Sequence, residues 1–246
     1  AIGTCLIVFP GLMTISSAVL TESQEGVWQI AVVWGLAVAI AIYATGSVSG
    51  AHLNPAVSIA MAVYGSETHF TWHECGMYIV SQIIGGIIGG AGNYAVWSGF
   101  IEDFESENGI TRGEAGSERT AMLFAAYFPN PAVYPGHENF HLVTPLRALI
   151  VETVASLMIT FVVFALSCPT NHIVHPSSVP SLVGSMIAVV ISCICPLTQA
   201  CLNPARDLGP RIVAAAAGWG HIAFPGPRSG FWVYMVAPTL GAILGA

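Results

Sequence analysis

The chain has 246 residues, of which 54% are hydrophobic and 8% charged; its formal net charge is −7 and its mean hydropathy +0.73. Such a composition is too apolar for an ordinary soluble domain, and six Arg with no Lys leave no cationic surface for nucleic acid. The length accommodates about six membrane spans of roughly 20 residues each.

Taken in order, Ala1 to Leu20 reads as a first span, closed by the polar run Thr21-Glu22-Ser23-Gln24-Glu25. Its first residue already lies in apolar sequence, so a polar N-terminal segment and an initiator Met are expected ahead of it, and no signal peptide is read here. A second span runs from Val27 to Gly46, and no Asp, Glu, Lys or Arg follows until Glu67. Inside that uncharged stretch Asn54 is a favoured N-cap and Pro55 suits the first helical position, so 54–63 predicts a half-length helix that enters the membrane without crossing it. The third span, Trp72 to Trp97, carries Gly85, Gly86, Gly89 and Gly90, small residues at i, i+4 that let helices approach closely in lipid. Gly99 to Pro145 is long and polar and holds Glu102, Asp103, Glu105, Glu107, Glu114, Glu118 and Glu138, which together predict a solvated connecting loop. The fourth span, Arg147 to Ser167, contains Glu152, the one ionisable group deep in a span. A linker with His172 and His175 leads to a fifth span ending at Thr198; Asn203 to Ala217 reads as a second half-helix, Gly218 to Gly230 as a Gly/Pro-rich loop and Phe231 to Ala246 as a sixth span.

The two half-helices open on the same words, Leu53-Asn54-Pro55-Ala56 and Leu202-Asn203-Pro204-Ala205. Broken helices in corresponding positions of two halves point to a transport site near the membrane midplane. The expected architecture is an all-α membrane protein with six transmembrane helices and two re-entrant half-helices in an inverted repeat. It forms one channel domain, 1–246, made of a first repeat 1–98, a connecting loop 99–146 and a second repeat 147–246. Each half-helix places about half a positive charge at its N-terminus, and Arg206 adds a full one, so cations and protons meet a barrier that neutral hydroxylated molecules do not. Asn54 and Asn203 can aim N–H donors at a passing hydroxyl while their oxygens cap the helices.

Rival classes ask for residues that are scarce here. An ion-coupled transporter needs intramembrane acids or bases along its path, and only Glu152 and Arg206 qualify. A membrane enzyme needs a nucleophile with a base or metal ligands, and the spans hold no such cluster; the six cysteines have no ligand spacing and read as buried or pore-adjacent thiols, so neither metal nor cofactor is expected. A non-conducting structural membrane protein would share the fold and differ only in flux.

The paired boxes resemble those of the aquaporin superfamily, and Asp207 after Arg206 in Asn203-Pro-Ala-Arg-Asp-Leu-Gly-Pro-Arg211 resembles its glycerol-facilitator, or aquaglyceroporin, branch. Val48-Ser-Gly-Ala-His-Leu-Asn-Pro-Ala56, Tyr127-Phe-Pro-Asn-Pro131 and Gly218-Trp-Gly-His-Ile-Ala-Phe224 extend the likeness over nearly the whole chain. The resemblance implies a selectivity filter of Trp34, Ile191, Ala200 and Arg206. It also implies acceptor ladders from the carbonyls of Gly50, Ala51 and His52 and of Gln199, Ala200 and Cys201. Glu152 and Asp207 become buried braces of the second pore loop, His52 a packed side chain, and Cys201 a thiol beside the constriction. The filter departs from a typical glycerol facilitator, which has a second aromatic where Ala200 stands and Gly where Ile191 stands; the four together resemble nodulin-26-like channels. The implied solutes are glycerol and other small polyols, water and urea, with ammonia and metalloid hydroxides under the nodulin-26-like alternative. Further implications are a homotetramer in the lipid bilayer of the plasma membrane, with an intracellular membrane as the alternative, an extracellular long loop, and cytoplasmic loops bearing His69, His73, His172 and His175.

Overall fold

The computed structural model describes residues 1–65 and 69–246; Glu67, which bounds the uncharged stretch in the sequence, lies outside them. The described residues form helices and connecting turns. Two long helices, α1 (Ile2–Thr21) and α2 (Val27–Ser49), precede a half-helix, α3 (Pro55–Val63), and a long helix, α4 (Trp72–Glu107). The order then repeats as α5 (Pro145–Ser167), α6 (Val179–Thr198), the half-helix α7 (Pro204–Ala214) and α8 (Phe231–Gly245). Five of these, α1, α2, α4, α5 and α6, are long and apolar enough to cross a membrane, while α8 has 15 residues.

Local chemistry sets the boundaries. Thr71 and Glu74 form a reciprocal capping box at the start of α4, and Thr144 with Pro145 starts α5. Gly50 and Gln199 end α2 and α6 in the left-handed conformation, and each donates its N–H back to the helix, to Gly46 and Cys195. The last carbonyls of those two helices also receive matching hydroxyls, Tyr78 Oη on Ser49 at 2.8 Å and Tyr234 Oη on Thr198 at 3.2 Å. Outward faces carry apolar stripes at helical spacing, such as Val80, Ile84 and Ile88 on α4 and Ile150, Val154 and Met158 on α5, as a lipid solvent requires.

Packing follows the repeat. α1 lies on α4 as α5 lies on α8, and the half-helix of each half packs against the long helix that ends the other half, α3 on α8 and α7 on α4. The four α4 glycines divide into two rows. Gly85 and Gly89 face α1, whereas Gly86 and Gly90 face α7 at Ala205 and Pro210. The halves meet where α2 crosses α6: a Cβ on Gly35 would strike the carbonyl oxygen of Gly184, and one on Gly184 would strike that of Gly35. Gly184 stands to Asn203 as Gly35 stands to Asn54, so the same offset governs the helix crossing and the boxes.

Residues 99–145 correct the expectation of a solvated loop. α4 runs on to Glu107, so 99–107 are helical, because Glu105 is buried and receives Arg112 Nη2 at 2.8 Å and Thr120 Oγ1 at 2.7 Å. Glu118 is buried too, accepting from the Gly116 amide at 2.6 Å and paired with His137 at 2.8 Å. Residues 120–130 are all buried. This segment folds back over the second pore loop with Glu105 and Glu118 matched inside it, while Glu102, Asp103, Glu107, Glu114 and Glu138 are exposed, as a solvated loop predicts. The expectation for the cysteines also needs two amendments, since Cys193 is exposed and Cys5 half-buried, and neither lines the cavities described below.

The α2–α6 crossing has no room for a side chain. Gly35→Leu or Gly184→Leu is expected to lower the thermal midpoint of the detergent-solubilised protein by about 5 °C or more, corresponding to an overpacking cost of ~2 kcal/mol. Gly76→Leu, at a position with nothing within 4 Å of a Cβ, should leave the midpoint unchanged.

Candidate functional site: two pore loops and a four-residue junction

The loops that lead into the half-helices share one backbone pattern. Gly50, Ala51 and Leu53 have φ of 67°, 50° and 57°, and Gln199, Ala200 and Leu202 have 58°, 49° and 58°. Left-handed residues other than Gly are costly, and a run of them keeps the chain from coiling onto itself. Consequently, among the described residues, no donor reaches the carbonyl oxygens of Gly50, Ala51, His52, Gln199, Ala200 or Cys201. Ala51, Gln199, Ala200 and Cys201 are buried, and buried carbonyls are rarely left without a partner, so these acceptors are open to whatever occupies the adjacent space.

The asparagines tie the loops together. Asn54 Oδ1 caps α3 through the Ala56 amide at 2.9 Å, and Asn203 Oδ1 caps α7 through Ala205 at 3.0 Å and Arg206 at 3.2 Å. Each Nδ2 crosses to the opposite loop: Asn54 donates to the Leu202 carbonyl at 2.9 Å and Asn203 to that of Leu53 at 2.8 Å. One N–H of each amide is thereby committed and the other remains for the pore. Both half-helix N-termini are thus locked face to face.

The second loop is braced from several sides. Glu152, fully buried, accepts from the Cys201 and Leu202 amides, both at 2.9 Å. Asp207 takes the Ala126 amide at 2.7 Å and a two-point grip from Arg211, Nε at 2.8 Å and Nη2 at 3.0 Å. Arg211 also donates to the Ala126 and Ala223 carbonyls, under the rings of Tyr127 and Phe231. The Gln199 side chain, which entered the sequence reading only through its carbonyl, accepts from Tyr127 N at 2.8 Å and donates to Met122 O at 3.3 Å. Arg211 was overlooked as well, although a carboxylate and a guanidinium at i, i+4 within a membrane half-helix is a visible signal for a buried pair.

Two cavities flank this arrangement. The larger, about 560 Å³, is lined by Gly50, Ala51, His52, Asn54, Cys201 and Asn203 among others. The smaller, about 360 Å³, is lined by residues of α1, α2, the folded-back segment and Gln199. The residues that line both are Trp34, Ile191, Ala200 and Arg206. The Arg206 guanidinium sits 4.9 Å from the Trp34 ring centroid, and its Nη1 is buried without a partner among the described residues. A charged donor held at a cavity junction and left unmatched is poised for an oxygen that arrives from outside the protein.

Other singled-out residues fall elsewhere. His52 packs against Phe70 and Tyr78, with centroids 4.6 and 4.9 Å away, and its Nδ1 lies 3.2 Å from Ser58 Oγ. His69, His73, His172 and His175 are exposed and line neither cavity. Cys201 is buried against the larger cavity, which also reaches the exposed Cys168. Among the described residues no group of three His, Cys, Asp or Glu could hold a metal ion.

Known proteins resemble this chain over its whole length. The chain is 37% identical to a glycerol uptake facilitator protein of Pseudomonas aeruginosa over 247 aligned positions, spanning 100% of this chain and 84% of that protein. It is 38% identical to the glycerol uptake facilitator protein of Escherichia coli K12, again over its full length and 83% of the relative. A propanediol uptake facilitator of Salmonella typhimurium is 33% identical, with 88% of its length covered. The fold superposes on the X-ray structure of the aquaglyceroporin from Plasmodium falciparum with a TM-score of 0.80 at 26% identity, covering 98% of this chain and 89% of that one. A family model described as major intrinsic protein matches residues 1–246. The chain is therefore a multi-pass membrane protein of the major intrinsic protein family.

Proposed function

We propose that the chain is a passive channel for small neutral solutes, glycerol and related polyols together with water, and that it excludes ions and protons. The observation that carries this reading is the junction: the two cavities meet only at Trp34, Ile191, Ala200 and Arg206. A polyol entering there meets an aromatic face for its carbons and an unmatched guanidinium for its oxygens, and next reaches the open carbonyls of Cys201, Ala200, His52 and Ala51. An ion would shed hydration against Arg206 and two helix N-termini, with no carboxylate lining the junction or the larger cavity to compensate it. Transport is by diffusion, with no chemical step.

The repeat boundaries belong to the same reading. Residues 1–98 and 147–246 are the inverted halves of one channel domain, 99–146 connects them on the extracellular side, and the protein assembles as a homotetramer in the plasma membrane. A second solute preference follows from one feature of the junction: Trp34 is its only ring. Ala200 leaves open the corner that a second ring would fill, and Ile191 adds apolar bulk without a hydrogen bond. That outline also suits urea, ammonia and metalloid hydroxides, as in nodulin-26-like filters.

Stopped-flow light scattering on proteoliposomes is expected to show glycerol entry at least ~10-fold faster than through lipid alone, a gain that equates to about 1.4 kcal/mol in barrier. Fast water flux with lipid-like glycerol entry would shift the reading to the second preference, and no flux of any solute would refute it. Wild-type vesicles should hold a pH gradient as well as empty ones do, while Arg206→Ala should make them leak; vesicles that stay equally tight would show that Arg206 is no part of the charge barrier. Glu152→Gln leaves one pore-loop amide without its acceptor and is expected to cost ~1–3 kcal/mol in thermal stability. A midpoint equal to wild type would rule out the bracing role.

A further inference from the structure

Two hydroxyls on the wall of the larger cavity take no part in holding the loops. Ser156 and Thr160 follow Glu152 along α5 by one and two helical turns, are 3% and 2% exposed, and both line that cavity. Hydroxyls inside helices commonly bond back to the carbonyl four residues earlier. Thr45 does so to Ala41 at 2.7 Å, Ser185 to Ser181 at 2.8 Å and Thr239 to Met235 at 2.8 Å. Ser156 and Thr160 do not: among the described residues, Ser156 Oγ is buried without a partner and Thr160 Oγ1 makes no hydrogen bond. The hydroxyls of Thr4, Thr14 and Ser192 are unpaired as well, but these residues line neither cavity.

Donors are scarce elsewhere on this wall. Many of its side chains are apolar, Val38, Val57, Val163, Val183 and Ile187 among them. The carbonyls of Gly50, Ala51 and His52 accept and cannot donate. Asn54 and Asn203 each keep one N–H, but both stand at the loop crossing. His52 Nδ1 is taken up by Ser58, and Ser167 and Cys168 are exposed at the end of α5. A hydroxylated molecule that gives a hydrogen to a loop carbonyl still has lone pairs to fill, and Ser156 and Thr160 are free to fill them.

We propose that Thr160, with Ser156 one turn away on the same face of α5, is a specificity-determining residue of the larger cavity that supplies the donor its loop carbonyls lack; the proposal rests on the reading of the pore as a polyol channel. Each hydroxyl both donates and accepts, so the pair can receive a hydrogen from a diol and return one to it. Neither carries a charge, so an ion gains nothing there against its lost hydration. Water and polyols depend on the pair to different degrees. A water molecule in a file replaces a missing protein partner with the next water, whereas a polyol turns its carbons to the apolar wall and leaves its oxygens to the protein. Loss of the Thr160 hydroxyl therefore costs a polyol more than it costs water.

The test has a binding arm and a flux arm. Glycerol titrated into the protein in nanodiscs is expected to give a saturable shift of the Thr160 methyl resonance, with the apparent affinity weakened about 3- to 10-fold in Ser156→Ala, the equivalent of one hydrogen bond. A methyl resonance that does not move would overturn the proposal. In proteoliposomes, Thr160→Val keeps the side-chain shape without the hydroxyl and is expected to lower the ratio of glycerol to water permeability about 3- to 10-fold at an unchanged thermal midpoint; Thr160→Ser should restore the ratio. An unaltered ratio in Thr160→Val would overturn the proposal. So would a ratio that falls together with the midpoint, which would make the hydroxyl a structural brace. A wild type that shows the shift but passes no glycerol would refute the transport assignment alone, since the titration reports binding whether or not glycerol crosses the junction.

Discussion

Two crossed hydrogen bonds, Asn54 to the Leu202 carbonyl and Asn203 to the Leu53 carbonyl, hold the protein's central arrangement in place. They join two helix N-termini that electrostatics would push apart, since each end carries about half a positive charge. The same side chains supply the oxygens that cap those ends, so capping and joining are inseparable. Once the ends are fixed, the preceding loops have to stay extended, their carbonyls stay free, and Arg206 is presented at the first turn of α7. The proposed charge barrier and polar track both originate in that one constraint.

The halves repeat in backbone and differ in support. Matching left-handed residues, matching Tyr hydroxyls on the last carbonyls of α2 and α6, and the mutual Gly35–Gly184 contact all obey the symmetry. The second loop alone gathers Glu152, the Gln199 side chain and the buried Asp207–Arg211 pair, with the folded-back residues 120–130 pressed against them. The first loop is held through its flank, by His52, Ser58 and Gln82 in a short polar chain. The junction sits on the heavily braced side. Position matters most where a guanidinium must stay unmatched yet fixed.

Much of this was legible in the sequence because the signals are local. Asn-Pro at a helix start, Gly at i, i+4 and long uncharged runs each report on their own neighbourhood, and the helix ends fell within a few residues of their expected places except at the end of α4. There the polarity of 99–107 suggested solvent, whereas Glu105 is buried by Arg112 and Thr120, partners that follow it in sequence but reach it only through the fold. The Gln199 side chain was missed for the same reason: its partners, Tyr127 and Met122, lie far away along the chain. The crossed asparagine bonds were also invisible, since the sequence shows that both boxes contain Leu-Asn and not that each amide caps one loop while gripping the other. The four junction residues, by contrast, came from likeness to a family and not from spacing.

On the proposed function, solutes pass between Trp34, Ile191, Ala200 and Arg206. The most direct test is to fill that gap. Ala200→Trp places an indole in the open corner, and water and glycerol flux through proteoliposomes are both expected to fall to the level of empty liposomes while the thermal midpoint holds. Flux that survives undiminished in a folded Ala200→Trp protein would mean that solutes take another path.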